Sequence, residues 1–85
     1  MKAKIIRVAF RPGEQGLLIA TSADLMGLYV VGQTRSELID DVPNAIEALF
    51  TAQGQQVVVH ELEDDTVGMQ PWVAVPVAPN RAKQA

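Results

Sequence analysis

Few side chains in this sequence have the types and spacing that catalysis or metal binding requires. The 85 residues include one histidine, His60, and no cysteine. This excludes disulfides, cysteine nucleophiles, thiolate zinc sites and multi-histidine metal sites. His60 is a candidate general base, but a lone histidine more often has a structural or surface role. Ser22 and Ser36 fall at a strand end and a helix start, where hydroxyls commonly bond backbone groups, so we expect no catalytic residue and no cofactor.

Acidic residues are concentrated in one short segment of the chain, which has a net charge of −3. Four acids and no base occur between 61 and 65: Glu61, Glu63, Asp64 and Asp65. Such a run is most often a solvated loop, and its spacing does not match an EF-hand calcium loop. The other function open to it is contact with a basic partner. We therefore predict no metal site and treat these four acids as candidate partner contacts.

Trp72 is the only tryptophan of the chain and the fifth candidate partner contact. Exposed tryptophan is rare, and tryptophan is enriched at the energetic centres of protein interfaces. The alternative is that Trp72 covers the sheet of its own domain. The sequence leaves both interpretations open.

Basic residues are concentrated at the N-terminus, where the first eleven residues include no acid. The four bases are Lys2, Lys4, Arg7 and Arg11. They could contact phosphates, which makes a small nucleic-acid-binding or regulatory domain the alternative function. Charges that protect an edge or solvent face from aggregation are the other explanation. A pI near 4.9 argues against nucleic-acid binding by bulk charge.

Hydrophobic alternation places these residues on an α+β fold of the order β-β-β-α-β. It predicts strands over 3–10, 17–22, 28–33 and 55–62. The first three are joined by short turns, so we expect an antiparallel meander, to which the last predicted strand is added. In the first strand Ile6, Val8 and Phe10 share one face. One domain over 1–78 is expected, followed by a flexible tail over 79–85.

A single helix is predicted between the third and fourth strands. Thr34-Arg35-Ser36-Glu37 matches a capping box, with Thr34 as N-cap, and Gly54 suits the C′ position. Pro43 lies inside the pattern and predicts a kink, because proline lacks a backbone donor. The apolar stripe keeps its phase across the proline, so we expect one kinked helix, packed on one face of the sheet. The stripe comprises Leu38, Ile39, Val42, Ala45, Ile46, Leu49 and Phe50.

The segment 71–77 is extended and apolar, and its prolines, Pro71 and Pro76, exclude a central strand. We expect an apolar C-terminal arm that forms an edge or docks on the domain.

One helix leaves the second face of the sheet uncovered. Apolar candidates for this face are Ile5, Ala9, Ile19 or Ala20, and Tyr29 or Val30, depending on register. Small domains commonly bury such a face against another chain. We therefore expect a homodimer, formed through this face, through an edge strand or by exchange of the arm, with Trp72 as an anchor.

The run Gly16–Leu28, with its Asp24-Leu25-Met26-Gly27 turn, and the following 34–38 resemble the HicB-like antitoxin family. The match is closest to a branch of stand-alone HicB-like domains, which also has a proline inside the helix and a Val-Pro-Val-like segment. Here these features are Pro43 and 75–77. The resemblance implies a partial ribonuclease-H-like fold and, for true antitoxins, neutralisation of a small basic toxin that cleaves messenger RNA. It does not extend to a second, DNA-binding helical module after Asp65.

The sequence thus predicts a non-catalytic protein-interaction module of HicB-like antitoxin type, with a small basic toxin-like protein as its partner. Its longest apolar runs are far shorter than the ~20 residues of a bilayer span, so no membrane contact is expected. Arg7 interrupts the N-terminal apolar stretch, which fits a signal peptide badly. A cytoplasmic location is the expectation.

Overall fold

Five antiparallel strands and one long helix make up the computed structural model, which describes residues 2–63 and 69–77. The strands are β1 (Lys4–Pro12), β2 (Leu18–Thr21), β3 (Tyr29–Gly32), β4 (Val57–Glu61) and β5 (Met69–Pro76). The helix α1 (Arg35–Ala52) lies between β3 and β4, and a short 3₁₀ turn (Glu14–Gly16) joins β1 to β2. The predicted α+β class and the β1–β2–β3 meander are confirmed. The proposed tail at 79–85, Asp64 and Asp65 lie outside the described residues.

The core lies between α1 and one face of the sheet. Side chains alternate along each strand, so every second residue points toward the helix. In β1 these are Ile6 and Val8, both with no exposed surface, and Phe10, which packs against them at the margin of the core. The remaining buried residues come from the other strands, the helix and the β2–β3 connection: Ala20, Val57, Trp72, Ala74, Leu38, Val42, Ile46, Phe50, Leu25 and Leu28.

The helix begins and ends where the sequence predicts. Thr34 Oγ1 accepts a hydrogen bond from the Glu37 backbone N–H at 3.2 Å. The Glu37 carboxylate accepts from the Gln33 N–H at 2.7 Å, one residue before the cap. Gly54 follows the C-cap with φ +83°, a conformation that favours glycine. α1 is continuous through Pro43, so the prediction of a single helix is confirmed.

The segment that contains the Asp-Leu-Met-Gly turn follows β2, and its side chains bond to the backbone of β1 beyond the last β1–β2 pair. The β1–β2 ladder stops at the pair Ala9–Thr21. Beyond it, the Ser22 hydroxyl donates to the Arg7 carbonyl at 2.6 Å, and the Asp24 carboxylate accepts from the Arg7 N–H at 2.8 Å. Ser22 Oγ also accepts from the Asp24 N–H at 3.0 Å. The two side chains therefore replace a strand partner for Arg7, as expected for a hydroxyl at a strand end.

The expectation that 71–77 is an edge or a docked arm is wrong. The segment forms β5, which lies between β1 and β4 in the strand order β3-β2-β1-β5-β4. It pairs with β1 from Lys4–Ala74 to Ala9–Met69, and with β4 from Val57–Pro76 to Glu61–Trp72. The predicted fourth strand is thus at an edge, and the predicted arm is central.

Two local arrangements explain why prolines are tolerated in a central strand. The Pro71 carbonyl accepts from the Leu62 N–H at 3.0 Å, but Pro71 has no N–H to return to the Leu62 carbonyl. The Gln70 side-chain amide donates to that carbonyl instead, at 2.6 Å. Pro76 lies beyond Lys4–Ala74, the last β1–β5 pair, so its missing donor has no paired strand to face.

Candidate interaction surface

The face of the sheet that points away from α1, called the open face below, carries most of the exposed large apolar side chains of the described residues. Tyr29 is 60 % exposed, Ile5 48 %, Val58 46 %, Val31 43 % and Val75 37 %. Alternation along the strands puts all five on this side of the sheet. The sequence left open whether Ile19 or Ala20, and Tyr29 or Val30, lie on this face. In the structure Ile19 and Tyr29 lie on the open face, and Ala20 and Val30 point toward the core.

Cross-strand pairing joins these side chains into rows across the sheet. One row runs from Ile5 through Val73 to His60, and a second joins Val75 to Val58. At the other side of the sheet, Ile19 is paired with Val31. Directly opposed side chains on one face lie within contact distance. The apolar side chains therefore form two groups, one on β1, β5 and β4 and one on β2 and β3, with Arg7 of β1 between them.

A shallow hollow of about 530 Å³ lies on the open face beside the β1–β2 turn. Leu17, Ile19, Tyr29 and Val31 line its apolar part, and the turn residues 12–15 form one side. The turn approaches closely, since a Cβ on Gly13 would lie 2.8 Å from Ile19 Cδ1. Sequence reasoning missed this hollow, and the Gly13–Ile19 approach has no signal in the sequence beyond the glycine itself.

Charges are divided between the two layers of the molecule. Arg7 and Arg11 project from the open face, where the described strands carry no Asp or Glu. The exposed acids of α1 lie on the other layer: Glu37, Asp40, Asp41 and Glu47. A surface of one charge sign favours a partner of the opposite sign. The two layers therefore suit different kinds of partner.

The structure separates the predicted partner contacts from one another. Glu61 ends β4 and is exposed, and Glu63 is exposed two residues later, while Asp64 and Asp65 lie outside the described residues. Trp72 is 1 % exposed and packs edge-on against Phe10, with ring centroids 6.3 Å apart. The prediction of Trp72 as a surface anchor is therefore wrong, because the indole covers the sheet of its own chain.

The other candidate groups occupy ordinary surface positions. His60 is exposed on the open face, opposite Val73 of β5. Within 2–63 and 69–77, no group of three or more His, Asp or Glu side chains is placed to hold a metal ion. In the same part of the chain, no helix has the length and apolarity to cross a membrane.

Comparison of the chain with protein-family models, with curated proteins and with solved structures gives no match. The resemblance to HicB-like antitoxins therefore stays a prediction that rests on the turn, cap and proline positions quoted above.

Proposed function

We propose that this chain is a non-catalytic protein-interaction module of HicB-like antitoxin type, which acts by binding a small basic protein. The observation that carries the proposal is the open face. Its exposed apolar side chains form one contiguous group on β1, β5 and β4 and a second on β2 and β3, so both edge strands carry part of this apolar surface. Contiguous apolar surface of this kind on a small domain marks an interaction site.

The charge distribution supports a basic partner at the helical layer and at the end of β4. The exposed acids of α1 and the exposed Glu61 and Glu63 attract such a protein and speed its association. Arg7 and Arg11 repel it from the middle of the open face. The basic partner is therefore expected to combine apolar contact near β4 with contacts to the acids around it.

The test is affinity purification of the tagged chain from its native host, with two variants that each add one positive charge. Ile5→Lys places the charge among the apolar side chains of the open face, where it interrupts apolar contact and repels a basic protein, and Gln55→Lys places it in the exposed connection between α1 and β4. A small basic protein that is recovered in a fixed ratio with the wild type and Gln55→Lys, and lost with Ile5→Lys, supports the proposal. Equal recovery with both variants, or no protein in a fixed ratio, contradicts it.

A nucleic-acid-binding function remains the second candidate because of one observation. Tyr29, Arg7 and Arg11 all project from the open face, and aromatic and basic side chains on a sheet surface are suited to single-stranded nucleic acid. Against it, most of the exposed side chains on this face are aliphatic. Mobility-shift assays with single-stranded RNA and DNA at low and high salt decide, since phosphate contacts require binding to weaken steeply with salt.

A further inference from the structure

The sheet has two edges among the described residues, β3 and β4, and each directs unpaired backbone groups outward. In an antiparallel strand, the N–H and C=O of one residue point to the same neighbouring strand, and successive residues alternate. The hydrogen bonds at the strand ends therefore determine which residues of each edge face outward.

In β3, the outward-facing residues are Tyr29 and Val31. The Gly13 N–H donates to the Leu17 carbonyl at 2.7 Å, which continues the β1–β2 ladder. Odd-numbered residues of β2 thus bond to β1, and its even-numbered residues bond to β3. The register then makes Ala20–Val30 and Leu18–Gly32 the hydrogen-bonded pairs of β2 and β3. Tyr29 and Val31, which alternate with them, direct their N–H and C=O groups away from the sheet.

Local structure at both ends of β3 limits the outward set to these two residues. The Gln33 N–H, next in the outward series, donates to the Glu37 carboxylate at 2.7 Å. At the other end, Gly27 precedes Tyr29 in the outward series, and it lies in the turn before β3 with φ +92°, outside the extended strand. Two donors and two acceptors, from Tyr29 and Val31, are left for a neighbouring strand.

We propose that these four groups pair with β3 of a second copy of the chain, in a two-fold antiparallel arrangement with Val30 on the axis. In this register, Tyr29 lies opposite Val31 of the partner subunit, and Val31 lies opposite Tyr29 of the partner subunit. Each opposed pair exchanges two backbone hydrogen bonds, so every outward donor and acceptor of β3 is used. The two sheets become one continuous sheet, with both helices on the same side.

Side chains at this edge fit the same arrangement. Tyr29 and Val31 are 60 % and 43 % exposed on the open face. The proposed register sets each tyrosine ring against a valine of the partner subunit, a favourable cross-strand pair. β3 contains no charged residue and no proline, which are the usual protections of an edge strand. Nothing in the strand repels its own copy.

The β4 edge is protected by charge. The Leu62 N–H donates to Pro71 and the Val77 N–H to the Gln56 carbonyl, so even-numbered residues of β4 face β5. The outward residues are Val57, Val59 and Glu61. Glu61 and Glu63 are exposed at this edge, and two further acids follow them in the sequence. Charged side chains at an edge oppose pairing with another strand, which favours β3 as the site of association.

A matched pair of variants tests the assignment by light scattering across a dilution series. Val31 and Val58 lie on opposite edge strands, both on the open face and with nearly equal exposure, 43 % and 46 %. We expect the wild type and Val58→Lys to have twice the 9.2 kDa chain mass, and Val31→Lys to have the chain mass. A wild type at 9.2 kDa at every concentration overturns the proposal. Dissociation by both variants, or by Val58→Lys alone, also overturns it.

Amide hydrogen exchange gives a second readout, which does not depend on any variant folding. The Tyr29 and Val31 amides should be protected in concentrated wild-type protein and lose protection on dilution. The Val57 and Val59 amides, which face outward from β4, should exchange rapidly at both concentrations. Rapid exchange at Tyr29 and Val31 in the concentrated sample overturns the proposal. If Val31→Lys is unfolded by circular dichroism, Tyr29→Lys replaces it under the same criteria.

Discussion

Ile5 and Ile6 are neighbours in β1, and they lie on opposite faces of the sheet. Ile6 has no exposed surface, whereas Ile5 is 48 % exposed. The same contrast holds along β5, where Trp72 and Ala74 are buried under α1 while Val75 is 37 % exposed. Both faces are rich in aliphatic residues, and only one of them is covered by a helix.

The contrast shows how apolar residues can serve two purposes within one small sheet. On the helix side, burial removes apolar surface from water at about 25 cal/mol per Å² and holds the fold together. On the open face, the same residue types contribute much less to the stability of the isolated chain, because they keep much of their contact with water. Burial of these side chains against a partner therefore stabilises a complex rather than the isolated chain. Substitutions on the two faces should therefore have very different effects.

The largest difference is expected between Trp72 and Val75, in the same strand. Trp72→Ala removes the indole from the core and should lower the free energy of unfolding by about 3–5 kcal/mol. Val75→Ala, on the open face, should lower it by less than about 1 kcal/mol. Urea denaturation followed by far-ultraviolet circular dichroism measures both values, at a concentration where the chain is monomeric. Similar losses for the two variants would contradict the division between the faces.

Ile6 and Ile5 give a cleaner comparison, because the residue type and the substitution are the same. Ile6→Ala should cost about 2–5 kcal/mol, since it leaves a cavity in the core. Ile5→Ala should cost less than about 1 kcal/mol in the monomer. Thermal and urea unfolding of the two variants provide the measurement. A cost for Ile5→Ala that approaches that of Ile6→Ala would mean that the open face is covered within the chain itself.

Gln70 and Pro71 are adjacent in β5, with their side chains on opposite faces of the sheet. The Gln70 side-chain amide donates to the Leu62 carbonyl, to which Pro71 has no backbone N–H to donate. Gln70→Ala removes the donor that Pro71 cannot supply, and should lower stability by about 1 kcal/mol. In a Pro71→Ala background the cost should be smaller, because the new N–H can donate to the same carbonyl. A double-mutant cycle in urea measures this coupling. Additive effects of the two substitutions would show that the Gln70 amide does not compensate for the proline.

A substitution at Pro43 tests α1, the helix that covers one of the two faces. Its expected effect on stability is the smallest of these comparisons. Pro43→Ala supplies the backbone N–H that is missing inside α1, so the fold should be kept and stability should rise by up to about 1 kcal/mol. The midpoint of thermal unfolding and the helical circular dichroism signal provide the measurement. Marked destabilisation would instead mean that the proline shapes α1 to fit the sheet.

Local features of the fold could be predicted from the sequence. The Thr34 cap, Gly54 and the apolar stripe each depend on residues within a few positions of one another, so their spacing determines the helix. Alternation in β1 correctly separated Ile6 and Val8 from Ile5. It also indicated an uncovered apolar face before any partner strand was known.

The position of β5 and the role of Trp72 could not be predicted in the same way. Pro71 and Pro76 predict an edge when each strand is considered alone. The central strand tolerates Pro71 because the Gln70 side chain reaches the Leu62 carbonyl at the end of the neighbouring strand. That contact depends on the register between strands that are distant in sequence. Trp72 is buried because β5 is central, so the error about the strand produced the error about the anchor. The valines of the open face, such as Val58 and Val75, depend on the same register.

The central position of β5 also has a consequence for the order of folding during synthesis. β4 emerges from the ribosome before β5, its one neighbour among the strands that the structure describes, and β1 has one unpaired side until then. β1–β2–β3 and α1 can form early from contacts near in sequence, but β4 has no strand to join. The β1–β5 ladder links residues sixty to seventy positions apart, from Ala9–Met69 to Lys4–Ala74, and such non-local pairing slows folding. Until β5 arrives, the nascent chain exposes two strands, and it is most vulnerable to aggregation and to chaperone capture during this interval.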